Sequence, residues 1–178
     1  YEEIFLPLHG KHQASNAAAA LVAVEAFFGE QELDYEAVLA GFANVSSPGR
    51  CEVLHRDPTV IIDAAHNPHG AKALTDTIQN EFTFDEVIGV FAAMGDKDIE
   101  GALVELEKVM DSIIVTKNSS TRSAAIADVE VLAAKIFGSD RVFSADSLEA
   151  AIEKAIKDSI RPLSEETIGI LITGSVVT

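Results

Sequence analysis

Short β-branched runs alternate with longer stretches of 3.6-residue apolar periodicity from Leu33 onward, and this alternation constrains the fold more than any other feature of the chain. The runs expected as strands are Cys51 to His55, Val60 to Asp63, Glu86 to Ala92, Ser112 to Thr116, Arg141 to Phe143 and Ile168 to Thr173. Each is apolar nearly throughout, as strands covered on both faces must be. Helical patterns fill the intervals, at about Pro68 to Glu81, Ile99 to Met110, Ala124 to Phe137 and Ser147 to Ser159. In the last of these, Ala150, Ala151, Ile152, Ala155 and Ile156 form one apolar face behind a serine suited to begin a helix. Strands that alternate with helices predict right-handed crossovers and an α/β fold: a doubly wound, mostly parallel, Rossmann-like six-stranded sheet. The first strand is the candidate antiparallel exception.

The N-terminal part differs in character. Ile4 to Leu8 reads as a strand, Gln13 to Phe28 as an Ala-rich helix and Tyr35 to Phe42 as a second helix. Asn44, Ser46, Ser47, Pro48 and Gly49 then form the densest cluster of turn residues, which places a domain boundary between residues 1–47 and 48–178. Roughly 45 residues with two helices are too few to build a core alone, so the first part is expected to be the tail of a preceding domain. With Tyr1 in first place, no initiator Met and no signal-peptide pattern, the chain reads as a fragment.

Charge narrows the partners. With 29 acidic residues against 13 Lys and Arg, the formal charge is −16, which repels a nucleic-acid backbone or an anionic membrane; neither is an expected partner. An anionic ligand therefore has to be held locally. No apolar run reaches the roughly 18 to 20 residues that span a bilayer. The lone Cys51 excludes an internal disulfide and fits a reducing cytosol, so a cytoplasmic location and a small buried apolar role are expected for it.

In an open parallel sheet, ligands bind beyond the carboxyl ends of the strands. Asp63, His66 and Asn67 stand at one such end, with Pro68 suited to the first turn of the next helix. Asp63 is able to accept from sugar hydroxyls, and His66 and Asn67 to donate to phosphate or carboxylate oxygens; equally, Asp63 or Asn67 serves only to cap the helix. His66, His69 and Asp63 have a spacing that suits a metal, but no second ligand cluster accompanies them, so no metal site is assigned in this chain. Asp96, Lys97 and Asp98 follow another strand, as a capped helix start with a surface ion pair or as part of a site. The loop Asn118 to Ser123 carries Arg122, able to grip a carboxylate in two-pronged fashion or simply to be solvated. Thr173, Gly174 and Ser175 end the last strand, where glycine permits a close approach and the Ser175 hydroxyl can meet a ligand. Asn16 lies three residues after Gln13 on a helix face, either reading an adenine edge or bonding locally near the helix start.

The absent motifs are equally informative. The chain has no GxxxxGK[ST] phosphate loop, no GxGxxG after its first strand and no GxSxG, which argues against a dinucleotide oxidoreductase or an α/β-hydrolase and leaves β- and γ-phosphates without their usual cradle.

Taken in order, "LHGKHQASNAAAAL", "PGRCEVL", "VIIDAAHNPHGA", "VFAAMGDKD" and "ITGS" resemble the carboxyl-terminal part of folylpolyglutamate synthase, including its bifunctional dihydrofolate synthase form, within the Mur ligase superfamily. The resemblance implies that residues 1 to about 47 end the central ATPase domain and that 48 to 178 form the C-terminal domain. It further implies a cytoplasmic ATP-dependent ligase whose phosphate loop and Mg2+ ligands lie in the missing N-terminal portion. In that reaction a folate or dihydropteroate carboxylate takes the γ-phosphoryl group of ATP, and the amine of L-glutamate attacks the acyl phosphate. Residue by residue, Asn16 matches a nucleotide-contacting asparagine and Arg50 an arginine reaching the ATP phosphates. Asp63 matches an aspartate at the ribose and His66 a histidine between nucleotide and glutamate, the expected catalytic group. Ser175 matches a serine near the glutamate pocket, and Arg122 is added as a glutamate-carboxylate ligand. Cys51 replaces the usual aromatic or apolar residue after "PGR", and Ala64 replaces the glycine of "DGAHNP", which requires a backbone conformation open to a Cβ. The rival readings are a stand-alone nucleotide or amino-acid binding module and another Mur-type ligase of cell-wall synthesis.

Overall fold

The apolar runs pair into one sheet of six strands in the order β1-β2-β6-β3-β4-β5. In this computed structural model, which describes residues 1–29, 31–161 and 165–175, the strands are β1 (Glu52–Arg56), β2 (Thr59–Ile62), β3 (Glu86–Ala92), β4 (Ser112–Val115), β5 (Val142–Ser144) and β6 (Ile168–Gly174). Only β1 runs antiparallel, against β2; the pairs β2–β6, β6–β3, β3–β4 and β4–β5 are parallel. The antiparallel exception therefore falls where the sequence puts it.

The helices are α1 (Lys11–Phe27), α2 (Tyr35–Ala43), α3 (Pro68–Glu81), α4 (Ile99–Leu106), α5 (Ile126–Phe137) and α6 (Leu148–Ser159). Side-chain alternation along the central strands sorts them into two layers. Ile61, Phe91, Ile113, Val115 and Leu171 face the buried residues of α3, α4 and α5, including Leu74, Leu103 and Val129. Ile88, Val90, Ile114, Ile170 and Ile172 face Ala151 and Ala155 of α6. Each fully buried Ile or Leu of these layers contributes about 1.5–3 kcal/mol. After β5 the chain crosses the sheet by α6 and inserts β6 between β2 and β3, so β6 is buried at every position.

Four elements differ from their sequence patterns. Ile4 to Leu8 forms no strand and runs as irregular chain ahead of α1. α4 stops at Leu106 rather than Met110: Asp111 accepts from Val87 N–H, and the Met110 thioether lies over the bare Cα of Gly89, where a Cβ would collide with it. β1 and β5 are edge strands with exposed residues and are not covered on both faces. Short apolar runs look alike whether they lie at the edge or in the middle.

The N-terminal segment is fastened to α3 by one carboxylate. Glu81 accepts from Gly10 N–H at 2.8 Å and pairs with His9 Nδ1 at 2.9 Å, while the His9 ring lies 4.9 Å from that of Phe82. Gly10 has φ +100, and a Cβ there would press on His12 and on Thr77 Oγ1. Glu81→Ala is expected to free this segment, at a cost of about 1 kcal/mol because the pair is partly solvated. Hydrogen exchange should show faster amides at Gly10 and Gln13 with the sheet unaffected; unchanged protection there would remove Glu81 from this role.

Candidate functional site

At the carboxyl end of β2 the ladder continues one residue beyond the strand, with Asp63 N–H donating to Ile172 O at 2.9 Å. The Asp63 side chain turns inward, 9% exposed, and one carboxylate oxygen accepts from Cys51 N–H and the other from Ala65 N–H, each at 2.8 Å. Ala64 N–H donates to Gly49 O at 2.8 Å. Two of these bonds, from Cys51 to Asp63 and from Ala64 to Gly49, lay the Pro48–Cys51 loop across the end of β2 and bring Arg50 to the rim. Cys51 adopts φ +47, uncommon for a residue with a Cβ, whereas Ala64 is not in the left-handed region and tolerates its methyl group.

Burial raises the Asp63 pKa above its ordinary value, while the Cys51 and Ala65 N–H groups and the charges of Arg50 and His12 pull it back down. The Cys51 thiol is pushed up to about 12, mainly by burial and then by the Asp63 charge, so it stays protonated and inert at neutral pH. The helix-capping role falls to Asn67, whose side chain accepts from Gly70 N–H at 2.8 Å, with Pro68 in the first turn of α3. His66 is exposed, and its Nδ1 lies 2.9 Å from Ala64 O; since a carbonyl only accepts, Nδ1 carries the proton and Nε2 is turned to bind elsewhere.

The neighbouring strand ends complete the rim. Gly174 has φ +98, and a Cβ there would run into Ala92 O; Ser175 N–H donates to Ala92 O at 2.7 Å. Beyond β3, Asp98 caps α4 by accepting from Gly101 N–H, and Asp96 pairs with Arg122 at 2.6 Å. Gly95 N–H donates to Arg122 O at 2.9 Å, joining the loops after β3 and β4. Asp63, Ser175 and Arg122 thus stand along one carboxyl edge, on β2, β6 and the loop after β4, with Arg50 and His66 beside Asp63. Asn16 is exposed one turn into α1, its amide donating to Gln13 Oε1 at 3.1 Å. Sequence reasoning missed Asn118, 7% exposed beneath Ser175 and Arg122; only its place at a strand end pointed to it. Among the described residues no group of three or more His, Cys, Asp or Glu is placed to hold a metal ion.

An amide at position 63 presents one acceptor where two N–H groups need one. Asp63→Asn is expected to lose about 1–3 kcal/mol in urea unfolding. The native Asp63 pKa lies above 3.8, so its stabilising contribution is full below that value and is lost as pH rises through the raised one. The wild-type-minus-variant difference should therefore shrink with rising pH across the carboxylate range; a difference that grows would overturn the assignment.

Residues 49–176 match the family described as Mur ligase, glutamate ligase domain. The dihydrofolate synthase/folylpolyglutamate synthase of Mycobacterium tuberculosis is 48% identical over the whole of this chain and 39% of its own length. The structure of M. tuberculosis folylpolyglutamate synthase complexed with ADP and AMPPCP superposes with a TM-score of 0.94 at 50% identity, over 100% of this chain and 40% of that one. A bifunctional folylpolyglutamate synthase/dihydrofolate synthase with Mn, AMPPNP and L-glutamate bound gives a TM-score of 0.77 at 28% identity, over 96% and 38%. The chain spans about two fifths of the length of these relatives. With its sheet order, its docked "PGR" loop and its "DAAHNP" turn in place, the chain belongs to the Mur ligase family, as the glutamate ligase domain with the segment that precedes it.

Proposed function

We propose that this chain supplies one wall of the ATP and L-glutamate site of an ATP-dependent folate–glutamate ligase, and that the opposite wall belongs to the rest of the protein. The observation that carries this reading is the docking of the Arg50 loop onto Asp63 at the strand end where β6 leaves the sheet, with Ser175 following that adjacent strand. The folate branch is favoured over cell-wall synthesis because the relative that shares 48% identity is a dihydrofolate synthase/folylpolyglutamate synthase.

In this reading the substrate carboxylate attacks the γ-phosphorus of ATP, the bond to the β-phosphate oxygen breaks, and ADP leaves. The glutamate amine then attacks the acyl carbon, loses a proton and expels phosphate. Arg50 meets the phosphates, where charge accumulates during transfer, and Asp63 meets the ribose through the lone pairs not used by Cys51 and Ala65. His66 offers Nε2 between the nucleotide and the incoming amine, Asn16 faces the adenine, and Ser175 and Arg122 hold the glutamate. Mg2+, with ligands assigned to the N-terminal portion, would offset phosphate charge; the residues of this chain are not asked to bind it.

Two further features support a missing wall. Phe27 is 83% exposed and Val22 and Phe28 are also largely bare, and α1 and α2 flank an open apolar groove lined by Leu21, Val24, Val38 and Phe42. A central domain packed there would cover them, with residues 1–47 as its tail and 48–178 as the C-terminal domain. Among the described residues no helix is long and apolar enough to cross a membrane, and a cytoplasmic setting accords with the folate substrates.

The test is glutamate-dependent release of ADP. The full-length parent should turn over and this chain alone should not, and turnover by the chain alone would defeat the division of labour. In the parent, Arg50→Ala and His66→Ala should each lower kcat/KM about 10²–10³-fold, by removing charge stabilisation made in the transition state. Wild-type rates from both would take these residues out of the site.

A further inference from the structure

The loop after β4 and the end of β6 meet at one buried amide. Asn118 Nδ2 donates to Ser175 O at 2.8 Å and approaches Met94 Sδ, and its Oδ1 accepts from Ser120 N–H at 3.0 Å. Its backbone N–H donates to Ser123 Oγ at 3.2 Å, and Ser120 Oγ in turn accepts from Arg122 N–H at 3.1 Å. One side chain therefore fixes the turn that carries Arg122 and at the same time holds the main chain of Ser175, on strands that are not neighbours: β4 and β6 are separated by β3. A solvated polar loop has no need of this. Surface asparagines bond locally or to water, whereas here the Asn118 amide also reaches across to Ser175, 57 residues on, and the residue is almost wholly covered.

We propose that Asn118 is the positioning residue of the amino-acid pocket: it sets the spacing between the Arg122 guanidinium and the Ser175 hydroxyl, and so selects a substrate with two carboxylates at the separation found in glutamate. It touches no substrate. It acts by locking two loops, so its loss loosens the pocket for the amino acid while leaving in place the Arg50–Asp63 end, which is held by its own bonds to Cys51 and Ala65. The proposal rests on the functional reading above.

Asn118→Asp keeps the size and the acceptor for Ser120 N–H but turns an oxygen toward Ser175 O. Asn118→Ser is neutral and too short to reach that carbonyl, and it guards against a folding defect caused by a buried charge. In the full-length parent, both variants should raise KM for glutamate at least tenfold while KM for ATP changes less than threefold. KM is insensitive to the fraction of enzyme that folds, so a merely structural role would lower kcat and leave both KM values alone. Unchanged KM for glutamate in the folded fraction of either variant, or an equal rise for both substrates, overturns the positioning role alone. No glutamate-dependent turnover in the wild-type parent overturns this proposal and the functional reading together.

Discussion

The arrangement of the rim depends on a buried carboxylate. Removing the Asp63 charge from water costs several kcal/mol, and its two N–H partners return roughly 1.5–3 kcal/mol each, so the net contribution to stability is small. What the bonds secure is position. They join two places twelve residues apart, Cys51 and Asp63, and a third at Ala65, so that the edge hairpin β1–β2, the loop carrying Arg50 and the entry to α3 move as one body. Arg50 is exposed and His66 is anchored only through Ala64 O; without Asp63 neither has a defined place.

The insertion of β6 supplies the second requirement. A strand buried at all seven positions and paired on both sides cannot tolerate a shift in register, because a slip of one residue would exchange its two faces. Its end is stopped by Gly174, whose left-handed conformation lies where a side chain would strike Ala92 O. Ser175 therefore leaves the sheet at a fixed height beside Asp63 on one side and the β3 loop on the other. Brought by a crossing helix from the far edge of the sheet, the last strand completes a site begun by the first two.

Periodicity made the sheet and four of the helices legible, since strands buried on both faces and helices with one apolar stripe leave strong patterns. Edge status was not legible: β5 at Val142–Ser144 is as apolar as a central strand, and only pairing shows that its outer side is open. Ile4 to Leu8 has strand composition but pairs with no strand of the sheet, a tertiary outcome that no local pattern records. The site divides in the same way. The place of Asp63, His66 and Ser175 at strand ends is legible in the sequence, yet Asp63's own partners, two backbone N–H groups, have no side-chain signature. Asn118 sits in "NSSTRS", where every residue suits a solvated turn and only burial distinguishes it.

Under the proposed function, a chain of charge −16 has to hold an anionic amino acid and a nucleotide at one edge. Long-range attraction is excluded by sign, so the affinity must come from groups within a few ångströms of the ligand. Arg122 is paired with Asp96, but both side chains are largely exposed and water screens the pair. Asp96 therefore holds the guanidinium without consuming it, and in the proposed site an incoming carboxylate would meet an arginine with donors to spare.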